Sequence, residues 1–217
     1  MATSGPSAVI PPEPPAELSK VKLRLGCVAG KWFRLSPNRH PSPLFWSRLG
    51  WYRFDSPTAR WGVSYSAHGI RAAFQEVFGD KIRAAGSLDY PEVEDITVWL
   101  IETPSDFRGV SLYGETLTLI GATEQSFVSD YAISQRWGAE LMHHPADLDG
   151  LVYHGRQCGE DCLAMFGDES ASRPYQKQLT VTPLGDLVAW SNFWPMIERL
   201  GLRITTMPRS RRTPTWT

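Results

Sequence analysis

Apolar and polar positions along the chain follow the period of strands in some stretches and of helices in others. Extended segments are predicted where apolar residues alternate or run together between turn residues, over 30–36, 62–66, 95–102, 107–112, 148–153 and 163–166. Helices are predicted where apolar residues recur three and four positions apart, over 70–78, 128–142 and 186–200, with a further helix starting near residue 123. Residues 173–181 fit either a strand or a loop.

The stretch 53–78 combines a turn, a strand and a helix around three polar side chains. Arg53 precedes the turn, the strand carries Tyr65, and the helix contains Glu76 at the border of its apolar stripe. The pattern alone favours an exposed turn position for Arg53 and an ordinary strand aromatic at Tyr65. A glutamate at the border of a stripe is either a solvated rim residue or, if it faces a cleft, a functional carboxylate.

The predicted strand 30–36 places an arginine beside a tryptophan. Trp32 and Arg34 share one face because side chains alternate along a strand. Arg34 therefore occupies either a solvated or edge position, or a cleft in which it binds an anion. The segment that follows, 37–51, contains three prolines and little periodicity, so it is predicted to be a loop. Loops of this length often carry function or bind a partner.

Composition and charge exclude several classes of protein. The net charge of −1 and the sequence pI of about 6.5 provide no positive field, so direct binding to nucleic acid is not expected. Three cysteines are too few for a disulfide framework, which favours a reduced, cytoplasmic protein. The beginning of the chain lacks the pattern of a signal peptide, and no apolar stretch is long enough to cross a membrane.

The two ends of the chain differ in composition from the middle. Residues 1–16 are rich in proline and poor in large apolar side chains, which predicts a flexible arm. Residues 206–217 form a basic tail that we expect to be mobile. Between them, 17–205 is predicted to form a single domain with a core at about 30–170.

Few local motifs indicate a metal, a phosphate or a nucleophile. Cys158 and Cys162 are separated by three residues and follow His154, but the second half of a zinc site is missing, so no metal is expected. A P-loop, a dinucleotide-binding glycine motif and a G-x-S-x-G turn are all absent from the sequence. A Cys–His hydrolase stays open, although no local signature supports it.

Four pieces of the sequence, in order, resemble the RES domain family. They are Phe33-Arg34-Leu35, Arg53-Phe54-Asp55, the strand VSYSA at 63–67, and Glu76 on the following helix. The later stretch YAISQRWGAELMHHPADLDGLVYHGR, residues 131–156, is similar to the longer members, in which a Q-x-W helix precedes a D-G-[IL]-x-Y-x-S-R strand. The resemblance covers roughly residues 30–170, and the predicted C-terminal helix fits it too.

The resemblance implies a fold, an activity and a partner. RES proteins are toxins of toxin–antitoxin pairs with an Xre-like antitoxin, and known members hydrolyse NAD, phosphorolyse it or transfer ADP-ribose to a protein. The implied fold is α+β, an ADP-ribosyltransferase-like mixed β core with flanking helices. NAD is then the substrate, with no metal required, and an oligomer is allowed. Whether water, phosphate or a protein accepts the ADP-ribose stays open.

The resemblance also implies site residues. Glu76, Arg34 and Tyr65 are the catalytic candidates, and Arg34, Arg53 and Tyr65 are the NAD-binding candidates. Arg156 joins the nucleotide site together with Gly155, which stands where the family has its serine. A glycine cannot donate a side-chain hydrogen bond, so a catalytically silent module that binds NAD or a partner is the alternative to an active enzyme.

The chemistry of NAD explains why these residue types suit the site. Breaking the nicotinamide–ribose bond develops positive charge on the ribose, which a nearby carboxylate such as Glu76 stabilises. Arg34 and Arg53 could clamp the two phosphates with charge-assisted hydrogen bonds. The ring of Tyr65 could lie against the nicotinamide ribose, with its hydroxyl available to bond.

Overall fold

The molecule is built on one eight-stranded mixed sheet, as a computed structural model shows for residues 11–128, 130–167 and 173–206. The strand order is β1-β6-β7-β8-β3-β2-β5-β9, and β6 and β7 are the one parallel pair among these described strands. The strands are β1 (Gly26–Cys27), β2 (Gly30–Pro37), β3 (Val63–Ala67), β5 (Ile96–Thr103), β6 (Arg108–Ser111), β7 (Gly150–His154), β8 (Asp161–Phe166) and β9 (Thr180–Asp186).

A second, two-stranded sheet was not predicted from the sequence. It pairs β4 (Ser87–Asp89) in parallel with β10 (Arg203–Thr205). The helices in the described part of the chain are α1 (Ile70–Ala85), α2 (Tyr90–Glu94), α3 (Glu115–Ile120), α4 (Gln125–Val128), α5 (Tyr131–Met142) and α6 (Phe193–Arg199). The α+β class with a mixed sheet and flanking helices is therefore the observed architecture.

Strand β2 is bonded very differently to its two neighbours. It pairs with β5 over eight residues, from Gly30 opposite Thr103 to Pro37 opposite Ile96. With β3 it shares a single register pair, Phe33 opposite Ala67. Because β2 and β3 diverge beyond that pair, the sheet opens at this point.

The main apolar core lies on one face of the sheet, and a smaller cluster lies on the other. Fully buried aromatic side chains dominate the main core, including Phe54, Phe74 and Trp137. The smaller cluster contains Trp32 and Ile101. Burial of this much aromatic surface supplies the main driving force for folding.

Helix α1 is longer than the 70–78 predicted from its apolar stripe. The helix continues through Gly79. This glycine lies where the side chain of Gln157 packs against the helix, and a Cβ there would lie 2.6 Å from Gln157 Cγ. The helix ends instead at Gly86, which has a φ of 62° and donates its N–H to the carbonyl of Ile82.

Helix α5 begins three residues later than predicted. The side chain of Asp130 caps the helix by accepting a hydrogen bond from the N–H of Ala132 at 2.8 Å. An N-cap has non-helical backbone angles, so Asp130 marks the boundary that the apolar spacing did not show.

The predicted helix over 186–200 is wrong in its first half. Asp186 still belongs to β9, a 3₁₀ turn covers Leu187–Ala189, and α6 begins only at Phe193. Pro195 explains the late start, because a proline is tolerated in the first turn of a helix and not in its interior. Gly201, with a φ of 64°, follows the helix as predicted.

The described part of the N-terminal arm lies against α5, which the prediction of a flexible arm did not anticipate. Trp137 Nε1 donates to the carbonyl of Pro12 at 2.9 Å, and Arg136 forms an ion pair with Glu13. Residues 1–10 and 207–217, which include most of the predicted arm and tail, lie outside the described residues. No helix among those described is both long enough and apolar enough to span a bilayer.

Candidate functional site

The opening between β2 and β3 leads into a cavity of about 430 Å³. Residues 33–35 of β2 form one wall, β3 forms the opposite wall, and α1 and the loop after β7 close the far side. The four residues predicted from the sequence as the centre of the site all line it: Arg34, Arg53, Tyr65 and Glu76. Arg156 lines the cavity as well.

Arg34 faces the cavity without a carboxylate partner. Its guanidinium donates to Ser64 Oγ, and no described residue forms an ion pair with it. Removal from water lowers the pKa of Arg34 to about 10, so the side chain keeps its charge at neutral pH. An uncompensated, desolvated cation is unfavourable by itself and favours an anionic ligand.

Arg53 is the more deeply buried of the two arginines, at 5% exposure. Its Nη1 donates to the backbone carbonyl of His154 at 3.3 Å, and its guanidinium lies 5.1 Å from the centre of the Tyr153 ring. These contacts hold the group rigidly at the cavity wall. In the part of the chain described, no carboxylate forms an ion pair with it either.

Glu76 is fixed by the loop that follows β7. The backbone N–H groups of Gln157 and Cys158 both donate to Glu76 Oε1, at 2.7 and 3.1 Å. Among the described residues, Oε2 accepts no hydrogen bond, so it is available to the cavity. The absence of a side chain at Gly79 allows this loop to approach α1 closely enough for the two bonds to form.

The hydroxyl of Tyr65 is already engaged within the protein. It donates to Asp55 Oδ1 at 2.9 Å and accepts from the N–H of Phe54 at 3.0 Å. Burial raises the pKa of Tyr65 well above its ordinary value, so the hydroxyl stays protonated. What this residue presents to the cavity is thus mainly its ring, which differs from the expectation of a free hydroxyl.

Asp55 organises the turn that carries Arg53, a role that sequence reasoning missed. It is fully buried, and its Oδ2 accepts hydrogen bonds from the N–H groups of Trp51 and Tyr52, each at 3.1 Å. Burial raises the pKa of the Asp55 carboxyl, while these bonds and the one from Tyr65 act in the opposite direction. The motif Arg53-Phe54-Asp55 contains this residue, so the sequence did carry a signal for the role of Asp55.

Ser66 is another lining residue that the sequence did not single out. Its Oγ is buried and has no hydrogen-bond partner among the described residues. A buried hydroxyl without a partner is unfavourable by about 1–3 kcal/mol. Like Arg34, it therefore leaves a bonding capacity that a ligand could satisfy.

Gly155 lies behind the cavity wall and is not itself part of the lining. A Cβ on this residue would lie 2.5 Å from Cys158 Sγ and 2.6 Å from Glu76 Oε1. The space that a serine side chain would need at this position is thus occupied by Cys158 Sγ and Glu76 Oε1. The neighbouring Arg156 is exposed and lies 3.6 Å from Asp80 at the cavity rim.

The mouth of the cavity is rimmed by large apolar side chains that are half exposed or more. Four belong to the loop after β2 and one to α1: Phe45, Leu49, Trp51, Tyr52 and Val77. Three of the four loop residues also line the cavity. Grouped exposed apolar residues of this kind mark binding surfaces.

A site with this arrangement suits a ligand that carries both negative charge and an aromatic or sugar portion. Two rigid cations, one oriented carboxylate, tyrosine rings and a free hydroxyl face the same space. The carboxylate and Arg34 come from different walls of the cavity, since Glu76 belongs to α1 and Arg34 to β2. This separation allows an anionic group and a developing positive charge to be stabilised at different ends.

Comparison with known proteins identifies the family. A sequence model of the RES domain matches residues 28–184. No curated protein matches the sequence of this chain. Among solved structures, a chain in the crystal structure of the M. tuberculosis MbcT-MbcA toxin-antitoxin complex is similar, with a TM-score of 0.55 and 17% sequence identity over 74% of this chain and 87% of that chain. That similarity supports the α+β fold, and the domain match shows that the chain belongs to the RES domain family.

Proposed function

We propose that this protein is a toxin that binds NAD in the cavity between β2 and β3 and cleaves its nicotinamide–ribose bond. The observation that carries the proposal is the convergence of two arginines without carboxylate partners and one oriented carboxylate on a single cavity. Membership of the RES family supports the choice of NAD as the substrate.

The diphosphate of NAD would bind between Arg34 and Arg53. Each guanidinium presents several N–H donors in a planar fork, which matches phosphate oxygens. Both groups are held in place before the ligand arrives, Arg34 by Ser64 and Arg53 by the carbonyl of His154. Little side-chain entropy is then lost on binding.

Glu76 would act at the reacting ribose. As nicotinamide departs, positive charge develops on the ribose, and a carboxylate fixed beforehand stabilises that charge without reorganising. The two N–H groups that donate to Oε1 provide this fixation, and Oε2 faces the reaction. The same oxygen can orient the incoming nucleophile.

The rings of Tyr65 and Tyr52 would enclose the nicotinamide end. They meet edge to face with their centres 5.8 Å apart, and both line the cavity. Ser66 Oγ, which also lines the cavity, offers one hydrogen bond. An apolar wall with one polar group suits a neutral aromatic amide.

The alternative is a module that binds NAD without turning it over, and Gly155 is the observation in its favour. The family serine is absent, and the structure leaves no room for its side chain. A third outcome is transfer of ADP-ribose to a protein, in which the acceptor enters through the same mouth.

One experiment separates these functions. Purified protein is incubated with NAD, with and without inorganic phosphate, and free nicotinamide is followed by chromatography. Release that drops in Glu76→Ala and persists in Glu94→Gln, an exposed carboxylate on α2, supports cleavage at this site. Dependence on phosphate would identify the acceptor.

No release from folded wild-type protein would exclude hydrolysis and phosphorolysis. Labelled NAD added together with a cell lysate, which supplies acceptor proteins, then distinguishes the remaining two functions. A transferase leaves label on a macromolecule, and a silent module leaves NAD intact but bound.

An antitoxin would silence the protein by covering the cavity mouth. The exposed side chains of Phe45, Leu49 and Trp51 form an apolar rim that a protein could bury. Co-expression with a protein antitoxin of the Xre type should relieve growth inhibition, and charged substitutions at Trp51 should restore the inhibition while NAD cleavage persists.

A further inference from the structure

Three candidate metal ligands, two of which line the cavity, come together from positions far apart in sequence. A carboxylate oxygen of Glu76 and the sulfur atoms of Cys158 and Cys162 all lie within 4.8 Å of one another. They belong to α1, to the loop after β7 and to β8. The shape of the site shows the same convergence, since a Cβ on Gly155 would lie within 2.5–2.9 Å of all three atoms.

We propose that Glu76, Cys158 and Cys162 form an inhibitory site for a thiophilic divalent cation such as Zn²⁺. The sequence alone did not indicate it, because His154 was the third ligand that spacing offered. His154 is turned away instead: its ring stacks on Tyr113 at 4.5 Å and approaches Asp161. The carboxylate from α1 takes the place of the histidine.

The ligand set fits the chemistry of zinc. Thiolates select soft or borderline cations over magnesium and calcium, and three protein ligands leave a fourth position for water or another group. Zinc bonds of about 2.0–2.3 Å place tetrahedral ligands roughly 3.5 Å apart. The three atoms therefore need to close by on the order of 1 Å when the metal binds.

Both cysteines are free thiols, Cys158 half-buried and Cys162 buried. Metal binding would release their protons, as is usual for cysteine ligands.

Metal at this site would switch off the NAD chemistry, and this part rests on the proposed function. A cation bound to Glu76 neutralises the carboxylate that is assigned to stabilise positive charge on the ribose. The level of free thiophilic cation would thus set the fraction of active protein.

Cobalt provides a test that does not depend on NAD. Reduced, metal-free protein is titrated with Co²⁺, and the thiolate-to-cobalt charge-transfer absorbance is followed, with Zn²⁺ added afterwards as competitor. We expect one equivalent to bind and Zn²⁺ to displace it. Cys158→Ser and Cys162→Ser should each weaken cobalt binding by about 100-fold or more. Loss of a residue that only hydrogen-bonds to a metal ligand typically weakens metal binding by about 10–100-fold.

Cys27→Ser, at the third cysteine of the chain, is the matched control and should bind cobalt like the wild type. Glu76→Gln should retain the sulfur absorbance with weaker affinity. Absence of the band in the wild type, or a wild-type affinity for cobalt in Cys158→Ser, would overturn the site, and the wild-type result needs no variant to fold.

The inhibitory role is tested separately. Nicotinamide release by the wild type should fall as Zn²⁺ is added and recover with a chelator. Cobalt binding at Glu76, Cys158 and Cys162 without any inhibition by Zn²⁺ would overturn the inhibitory role. If the metal-free protein releases no nicotinamide, the proposed function fails, while the cobalt titration still decides whether the site exists.

Discussion

The two edges of strand β2 are paired with their neighbouring strands to very different extents. The edge toward β5, the closed edge, is paired over all eight residues of the strand, whereas the edge toward β3, the open edge, has one register pair. On the closed edge the neighbouring Ile101 is fully buried. On the open edge, Arg34 and Ser66 face a cavity with unused bonding capacity.

The difference shows how a sheet can provide both stability and a site. Continuous pairing and apolar burial make the closed edge a rigid support. Interrupted pairing leaves side chains at the open edge without partners, which is unfavourable unless a ligand supplies them. Substitutions on the closed edge should therefore alter stability, and substitutions on the open edge should alter ligand binding.

The largest effect on stability is expected at the closed edge. Ile101→Ala removes a fully buried side chain from β5 and should lower the free energy of unfolding by about 2–5 kcal/mol. Chemical denaturation measures this change. The KM for NAD of the folded fraction should stay at the wild-type value, and a raised KM would show that the two edges are not independent.

Asp55→Asn tests the turn that supports the open edge. The amide has one acceptor oxygen where the carboxylate has two, so either the N–H groups of Trp51 and Tyr52 or the hydroxyl of Tyr65 loses its acceptor. We expect a loss of about 1–3 kcal/mol of stability from the unsatisfied donors. Because this turn positions Arg53, the variant should also bind NAD more weakly, unlike Ile101→Ala.

Gly155→Ser restores the family residue and should still be harmful. Its Cβ would meet Cys158 Sγ and Glu76 Oε1 at distances that no real contact shows. Overpacking of this kind typically lowers stability by about 1–3 kcal/mol. Thermal unfolding measures it, and the combination with Cys158→Ala should recover part of the loss.

An increase in activity in Gly155→Ser at unchanged stability would show instead that the serine space is available. It would also weaken the view that Cys158 and Glu76 have replaced it.

Ser66→Ala, on β3, should produce the smallest effect and sharpen the contrast between the two edges of β2. Its hydroxyl has no partner among the described residues, so its removal should leave stability unchanged or slightly higher. If the hydroxyl bonds NAD, the KM should rise by roughly 2- to 10-fold, equivalent to about 0.5–1.5 kcal/mol. An unchanged KM together with raised stability would remove Ser66 from the site.

Local patterns were enough to predict much of the framework. The patterns of β2 and β3 placed those strands within one residue of their observed bounds, and the apolar stripe of α1 placed the start of that helix, since each signal lies within a few residues. The stretch 173–181, which fitted a strand or a loop, contains a 3₁₀ turn at Pro174–Gln178 and only the first two residues of β9. Six of the seven residues of β9 are exposed, so no alternation marks a buried face. Strands β4 and β10 are three residues each and depend on a partner more than 100 residues away.

The candidate site was accessible from the sequence only in part. Resemblance to the family brought Arg34, Arg53 and Glu76 together before any geometry was available. The single register pair between β2 and β3 is a tertiary feature, and no local pattern records it. The approach of Cys158 and Cys162 to Glu76 likewise depends on packing between α1 and a loop some eighty residues later.

The measurement that tests the central claim most directly is the calorimetric titration of Glu76→Gln with NAD, with and without a second substitution on β2. Adding Arg34→Met, on the open edge, should weaken NAD binding by roughly 10- to 100-fold, as loss of a charged hydrogen bond implies. Adding Lys31→Met, which removes the same charge from an exposed position outside the cavity, should leave the affinity unchanged. Equal affinities in all three proteins would contradict the assignment of the open edge as the NAD site.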